Sequence, residues 1–263
     1  MRPTHLLQLT DTHLYADPAG EIYGVNSADS LSRVIEAVFA DGGSRPDAIV
    51  VTGDVSDDLG EGSYRRLRDA LGNRGVPVHC LPGNHDDPRL MAELLDSDAF
   101  RYCGRAEFQG WGLVTVDTHL PGEVRGWISD AGLERLDADL AAFRDRPVVL
   151  AMHHPPVPIG SAWLDRSRLG NASGFFEVVG RHRQVKVVLA GHVHQACDEM
   201  HGTVRVMTAP STCAQFAPRS AKFAIDPRPP GYRRLTLHAD GRIETEARWL
   251  ASATPAMGPG RPG

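Results

Sequence analysis

At 263 residues, with 41% hydrophobic and 23% charged side chains, the chain has the composition of a globular protein large enough for one substantial core. Its formal charge of -5 argues against a general nucleic-acid binder, which needs a basic face to displace counterions from phosphates. No apolar run approaches the ~20 residues needed to cross a bilayer. No secretory leader stands ahead of the first motif at Asp11, so a cytoplasmic protein without a membrane partner is expected.

In chain order, Leu6 to Leu9 is the first apolar, strand-like run, and Tyr15 to Asn26 reads as a loop after it. Leu31, Val34, Ile35, Val38 and Phe39 then fall on one helical stripe, with Ser27 or Asp29 as its N-cap. Ala48 to Thr52 is a second strand, Tyr64, Leu67 and Leu71 form a second stripe, and Val76 to Leu81 is a third strand. This alternation predicts right-handed crossovers and a largely parallel sheet. Leu113 to Val116 is the next strand. A third stripe, Leu133, Leu136, Leu140 and Phe143, follows a start signal at Ser129 or Asp130. Val148 to Met152, Val185 to Ala190 and Val204 to Met207 complete the buried runs, with Pro155 to Ser173 and Pro210 to Gly231 as loops. Tyr232 to His238 and Glu244 to Leu250 alternate on either side of Asp240-Gly241, which signals a hairpin. A mixed α/β sandwich with antiparallel edges is expected, as one domain over residues 1–250. The Gly-, Pro- and Ala-rich tail, residues 251–263, is expected to be disordered.

Polar residues gather where the apolar runs end. Asp11-Thr12-His13, Gly53-Asp54-Val55-Ser56-Asp57, Gly83-Asn84-His85-Asp86, His153-His154-Pro155 and Gly191-His192-Val193-His194 each follow a strand-like segment. In α/β sheets the carboxyl edge is where loops from several strands converge on a site. Asp11 and His13, and likewise His192 and His194, are two apart, so in an extended segment each pair points one way. Gly53, Gly83 and Gly191 permit sharp turns or close backbone approach beside them. Oxygen and imidazole ligands without thiolate suit Mn, Fe, Zn or Co and fit Ca poorly. The scattered Cys80, Cys103, Cys197 and Cys213 form no C-x-x-C pair and are expected as reduced thiols. Cys213 is a candidate redox thiol or, more simply, a buried inert one. The spacing leaves His153 and His154 as open alternatives, except that strand alternation would point their rings oppositely.

The order D-x-H, G-D-x-x-D, G-N-H-D, H-x-P, G-H-x-H across residues 5–194 resembles the calcineurin-like metallophosphoesterases. Gln8 to Leu14, Gly24-Val25-Asn26, Pro210-Ser211-Thr212-Cys213 with Gln215-Phe216, and Pro230-Gly231-Tyr232-Arg233 look like the bacterial class III cyclic-AMP phosphodiesterases. The resemblance implies a four-layer α-β-β-α sandwich with mixed sheets and two divalent transition metal ions. It assigns Asp11, His13 and His194 to one ion, Asn84, His153 and His192 to the other, and Asp54 as the bridge. His153 is preferred to His154 because the family ligand sits two residues before the proline.

In such a site a hydroxide held by both ions attacks phosphorus, since metal binding brings the pKa of water to about 7. The resemblance makes His85 the imidazole that contacts the phosphate and protonates the leaving oxygen, alongside Asn84 and His194. Asp57 and Asp86 are candidates to orient histidines by accepting a ring N–H. Asn26, Ser211, Thr212 and Gln215 are candidates to bind base or ribose. Trp163 and Phe216 are candidates to stack on a base, although core packing is the simpler role. The expected substrate is a small phosphodiester, 3′,5′-cyclic AMP, giving 5′-AMP. A broader metallophosphodiesterase acting on glycerophosphodiesters, 2′,3′-cyclic nucleotides or other phosphoesters is the alternative. A monomer or homodimer is expected. A catalytically dead scaffold would have lost Asp54 or histidines, and all of these are present.

Overall fold

The computed structural model describes residues 2–40, 44–97 and 99–251. The tail read as disordered lies outside the described residues from position 252 onward. The first half runs β1 (Thr4–Leu9), a short hairpin of β2 (Glu21–Ile22) and β3 (Val25–Asn26), α1 (Ser27–Ala40), β4 (Ala48–Val51), α2 (Glu61–Gly72), β5 (Val78–Cys80), α3 (Pro88–Leu94) and β6 (Phe100–Tyr102). The second runs β7 (Gly104–Phe108), β8 (Trp111–Thr115), α4 (Asp130–Ala141), β9 (Val148–Ala151), α5 (Ala172–Gly180), β10 (Val185–Ala190), β11 (Asp198–His201) and β12 (Val204–Thr208). A short hairpin of β13 (Gln215–Phe216) and β14 (Ile225–Asp226) precedes the closing pair β15 (Gly231–Leu237) and β16 (Ile243–Trp249).

These strands build two six-stranded sheets, ordered β16-β15-β1-β4-β5-β6 and β11-β12-β10-β9-β8-β7. In the first, β1, β4, β5 and β6 are parallel, while β15 runs antiparallel to β1 and β16 antiparallel to β15. In the second, β12, β10, β9 and β8 are parallel, with β11 and β7 antiparallel at the edges. Mixed sheets with antiparallel edges match the sequence pattern.

Strand alternation sends successive side chains to opposite faces. Leu7, Leu9, Ile49 and Val51 pack with Leu31, Val34, Ile35 and Val38 of α1 and Tyr64, Leu67 and Leu71 of α2. Their neighbours Leu6, Ala48 and Val50 meet Trp111, Leu113, Val149, Ala151, Val187 and Leu189 between the sheets. On the far face Val148, Leu150 and Val188 pack with Leu136 and Leu140 of α4 and Phe175, Val178 and Val179 of α5. Helix, sheet, sheet and helix therefore stack as four layers.

Some local expectations change. α1 is capped by neither Ser27 nor Asp29: Asn26 Oδ1 accepts from Asp29 N at 2.8 Å. Ser129 does cap α4, accepting from Gly132 N at 3.1 Å. The segments read as loops at 15–26 and 210–231 each contain a two-stranded hairpin. Among the described residues, no helix is long and apolar enough to cross a membrane.

Candidate metal centre

The polar clusters meet at the carboxyl ends of β1, β4, β5, β9 and β10, where the two sheets face each other. Backbone hydrogen bonds tie the first two turns together: Asp11 N to Gly53 O (3.0 Å), His13 N to Asp54 O (3.0 Å) and Leu14 N to Val55 O (2.8 Å). The side chains are not presented by extended segments, as their two-residue spacing suggests. Asp11 (φ 52), His13 (φ 44), Asp54 (φ 51), His192 (φ 69) and His194 (φ 47) all adopt the left-handed region. For a residue with a Cβ that conformation costs of order 1–3 kcal/mol, and such strain concentrates at functional sites. Here left-handed turns turn each pair inward in place of strand alternation.

Two glycines allow the turns to approach. Gly53 has φ 90, and a Cβ there would lie 2.6 Å from His153 Nδ1. A Cβ on Gly83 would lie 2.0 Å from Asp54 Oδ1. Any side chain at either position would push Asp54 or His153 out of place.

The clusters are buried. Asp11, Asp54, His13, His153, His192 and His194 are all 6% exposed or less, whereas Asn84 is half-buried and His85 is exposed. Ligand-type atoms of Asp11, His13 and His194 lie within 4.8 Å of one another, as do those of Asp11, Asp54 and His153. Asp54 Oδ1 accepts from His85 N at 2.9 Å, while Oδ2 lies 3.3 Å from His153 Nε2 and 3.8 Å from His13 Nε2. Asn84 Oδ1 is 3.3 Å from His153 Nε2.

The ring nitrogens fix which atoms are free. His194 Nδ1 faces the Ala214 carbonyl at 2.8 Å, and His153 Nδ1 faces that of Thr52 at 2.8 Å. His13 Nδ1 faces Asp57 Oδ1 at 3.1 Å. A carbonyl or carboxylate demands a proton on Nδ1, so each neutral ring presents a bare Nε2 lone pair. Yet His13 Nε2 and His194 Nε2 stand 3.1 Å apart, and His153 Nε2 faces two acceptor oxygens. Converging lone pairs repel unless a cation lies among them, so this donor set fits divalent metal ions. A proton on Nε2 would meet the same need for positive charge, which the neighbouring carboxylates create. Burial pushes the His153 and His13 imidazoles down, but Asp54, Asp11 and Asp57 overcome it, taking His153 up to about 9 and raising His13. Burial also opposes ionisation of Asp54, yet His153 and His13 hold it well below the usual carboxylate range. His192, buried and facing His153, is pushed down to about 3.

The two histidines that spacing leaves open now differ. His154 Nδ1 is 2.8 Å from Thr118 Oγ1 and its Nε2 is 3.1 Å from the Val124 carbonyl, so both nitrogens have protein partners, although one also lies within 4.8 Å of ring nitrogens of His153 and His192. Their rings do not point oppositely: the centroids are 4.8 Å apart, edge to face. β9 ends at Ala151, before the pair, so alternation does not reach them.

Asp57 faces two imidazoles, His13 Nδ1 and His85 Nδ1 (3.4 Å), and also accepts from Tyr15 Oη. Asp86 does not orient a histidine. Its carboxylate accepts from Val55 N (3.0 and 3.1 Å), Ser56 N (3.0 Å) and Gly83 N (2.9 Å), clamping the backbone on both sides of Asp54.

The residues read as base or ribose contacts are not at the cavity. Asn26 uses its amide on Pro18 O (2.9 Å) and on the α1 cap. Ser211 is fully buried, donating to Asp11 O at 2.7 Å and accepting from Cys213 N at 2.8 Å. Thr212 is also fully buried, its amide on Thr10 O at 3.1 Å, and Gln215 Nε2 donates to Ser211 O at 2.7 Å. This segment braces the strained Asp11 turn. Burial pushes the Cys213 thiol up to about 12, and all four cysteines are free.

A cavity of about 150 Å³ opens over the cluster, lined by His13, Asp54, Asn84, His85, His192 and His194, with Tyr23, Trp163, Ser167 and Phe216 at its wall. Phe216 stacks on His194 with centroids 4.1 Å apart, so it packs behind that ring. Ser167 Oγ lies 2.9 Å from His192 Nε2. Tyr15, Tyr23 and Ser167 carry no sequence signal, since each is a single hydroxyl-bearing residue in a loop or turn. A larger cavity, about 540 Å³ beside Asp117 and Arg135, contains none of the cluster residues.

Residues 4–196 match the calcineurin-like phosphoesterase family. This chain belongs to that family. Among its relatives, the 3′,5′-cyclic adenosine monophosphate phosphodiesterase CpdA of Vibrio vulnificus is 39% identical over 250 residues, covering 95% of this chain and 91% of the relative. A 3′,5′-cyclic-nucleotide phosphodiesterase of Nostoc is 35% identical over 257 residues, covering 96% and 95%. A dimetal phosphatase from Danio rerio has the same fold, with a TM-score of 0.65 at 18% identity over 94% of this chain and 99% of the other. The calcineurin-like family implies divalent metal ions, and the buried Asp and His clusters are groups able to hold them.

Proposed function

We propose that this chain is a binuclear-metal phosphodiesterase that hydrolyses 3′,5′-cyclic AMP to 5′-AMP. In this reading Asp11, His13 and His194 hold one ion, Asn84, His153 and His192 hold the other, and Asp54 serves both. The observation that carries it is the pair of bare Nε2 atoms of His13 and His194, 3.1 Å apart beside two buried carboxylates. When bound, the ions supply an acidified water, of pKa about 7, and positive charge against the phosphoryl oxygens. Mn, Fe, Zn or Co fits this mixture of imidazole, carboxylate and carboxamide.

The chain's own residues do the rest. His85 is the exposed imidazole of the set, and Asp57 lies 3.4 Å from its Nδ1, which leaves Nε2 to carry a proton toward the ligand. As the P–O3′ bond breaks, that proton goes to the ribose oxygen, and the oxygen of water stays on phosphorus. Asn84, beside His85, and His194 contact the phosphate. Asp86 keeps Asp54 in place by holding Val55, Ser56 and Gly83 amides. Residues 1–250 act as one domain of a cytoplasmic enzyme.

The substrate assignment is supported by relatives named for cyclic nucleotides that match nearly the whole chain, loops included. Metal-loaded protein should be offered 3′,5′-cyclic AMP, 3′,5′-cyclic GMP, 2′,3′-cyclic AMP, a glycerophosphodiester and a phosphomonoester side by side. The highest kcat/KM is expected for 3′,5′-cyclic AMP. Preference for the glycerophosphodiester or the monoester would move the substrate elsewhere, and no turnover of any of them would end the enzyme reading.

A further inference from the structure

The cavity over the cluster, about 150 Å³, is smaller than the roughly 300 Å³ at which enclosed ligand sites begin. It has room for a phosphate and its immediate surroundings. The remainder of a nucleotide must lie across the mouth, so the residues there decide what is attached to the phosphate. Tyr23, Trp163 and Phe216 line the cavity together with the aliphatic Ile22, Val124 and Leu164, and Phe223 packs against Tyr23 from outside it. Tyr23 and Phe223 are 52% and 49% exposed, with ring centroids 5.3 Å apart. Phe216 and Trp163 lie behind them, with Tyr23 edge-on to Phe216 at 5.9 Å and Trp163 edge-on at 5.2 Å. Phe216 is already covered by His194 and is 7% exposed, so it offers no open face.

Tyr23 is distinguished by its backbone. β2 and β3 pair Ile22 with Val25, so Tyr23 and Gly24 are the two residues of the turn. Both have positive φ, 51 and 77. A two-residue turn of that kind favours Asn, Asp or Gly at its first position, because a larger side chain crowds the backbone there. This chain instead sets a large aromatic ring in that place, half exposed, at the wall of the cavity that also holds His13, Asn84 and His85. Packing on Phe216 and Phe223 covers only about half of that residue and leaves the rest open to the mouth. Backbone strain concentrates at binding and catalytic positions, and an open aromatic ring at a ligand mouth can stack on a base.

We infer that Tyr23 is the stacking platform for the nucleobase of the substrate and so determines specificity for a nucleoside cyclic phosphate. The inference rests on the proposed cyclic-nucleotide activity. Trp163 stands in the same wall, and its buried Nε1–H has no acceptor among the described residues.

Two variants test this, each assayed with 3′,5′-cyclic AMP and with the abasic ribose 3′,5′-cyclic phosphate. Tyr23→Asn suits the turn and lacks the ring. It should raise KM for cyclic AMP about 5-fold or more, the lower end of base stacking on an aromatic side chain. Its effect on the abasic substrate should stay below about 2-fold, and its Tm should equal or exceed that of the wild type because the strain is relieved. Tyr23→Phe should retain the wild-type KM for cyclic AMP. An unchanged KM in Tyr23→Asn, or equal losses on both substrates with a lower Tm, would overturn the stacking role. Wild-type protein that turns over neither cyclic substrate would overturn the cyclic-nucleotide reading itself, and the stacking role with it.

Discussion

Replacing Asp86 with alanine is expected to destabilise the protein by about 3 kcal/mol and to loosen the metal site, although Asp86 is not proposed as a ligand. Its carboxylate is the acceptor for three buried amides, those of Val55, Ser56 and Gly83. A buried donor left without a partner costs about 1–3 kcal/mol, so three give roughly 3–9 kcal/mol. An opposing effect favours the low end. Burial and the charge of Asp54 push the Asp86 carboxyl above its ordinary range, so removing it also removes a repulsion. For a chain of this size, about 3 kcal/mol corresponds to a fall in Tm of about 6–12 °C. Calorimetry on metal-free protein would read it, and Asp86→Asn, which keeps one acceptor oxygen, should lose about half as much. Because the clamp carries the turn that sets Asp54, Asp86→Ala should also bind metal more weakly. A variant within about 1 °C of wild type, with unchanged metal affinity, would refute the clamp.

Two further outcomes follow from the same geometry. His85→Ala should slow 3′,5′-cyclic AMP, with its poor ribose leaving group, by about 100-fold or more, yet slow a nitrophenyl diester far less; equal losses on both would remove His85 as the acid. His79, buried beside Arg101 and edge-on to Phe108 at 5.3 Å, is pushed down to about 4 by burial and then by the arginine charge. Its unfolded value is about 6.5, so the unfolded chain takes up the proton first and stability falls as pH drops from 6.5 toward 4, by about 3 kcal/mol at most. Urea titrations of wild type and His79→Leu across that window should differ in slope, and parallel curves would contradict the assignment.

Much of the fold was legible because buried strands declare themselves as short β-branched runs such as Ala48 to Thr52 and Val185 to Ala190. α3 was missed because it spans only seven residues, even though Asp87 and Pro88 form a start signal. α5 carries Phe175, Val178 and Val179 at i, i+3 and i+4, but it spans only nine residues, too few for the stripe to stand out. At the site, the residue types and their order identified which side chains converge, but not how. The left-handed turns at Asp11, Asp54 and His192 are imposed by contacts from distant segments, such as Ser211 on the Asp11 carbonyl, and no local pattern encodes them. For the same reason Asn26, Ser211 and Thr212 resembled ligand contacts in sequence. Polar residues near a site bind substrate or brace the turns that do, and only their hydrogen bonds distinguish the two.

In the proposed function these clusters hold two metal ions that together make a phosphodiesterase. It is tested most directly by titrating metal-free protein with Mn²⁺ while measuring both bound metal per chain and turnover of 3′,5′-cyclic AMP, for wild type and Asp54→Ala. Wild-type activity is expected to appear as the stoichiometry reaches two, and Asp54→Ala to bind less metal and stay inactive at every ratio. Full activity at one ion per chain, or undiminished activity in Asp54→Ala, would contradict it.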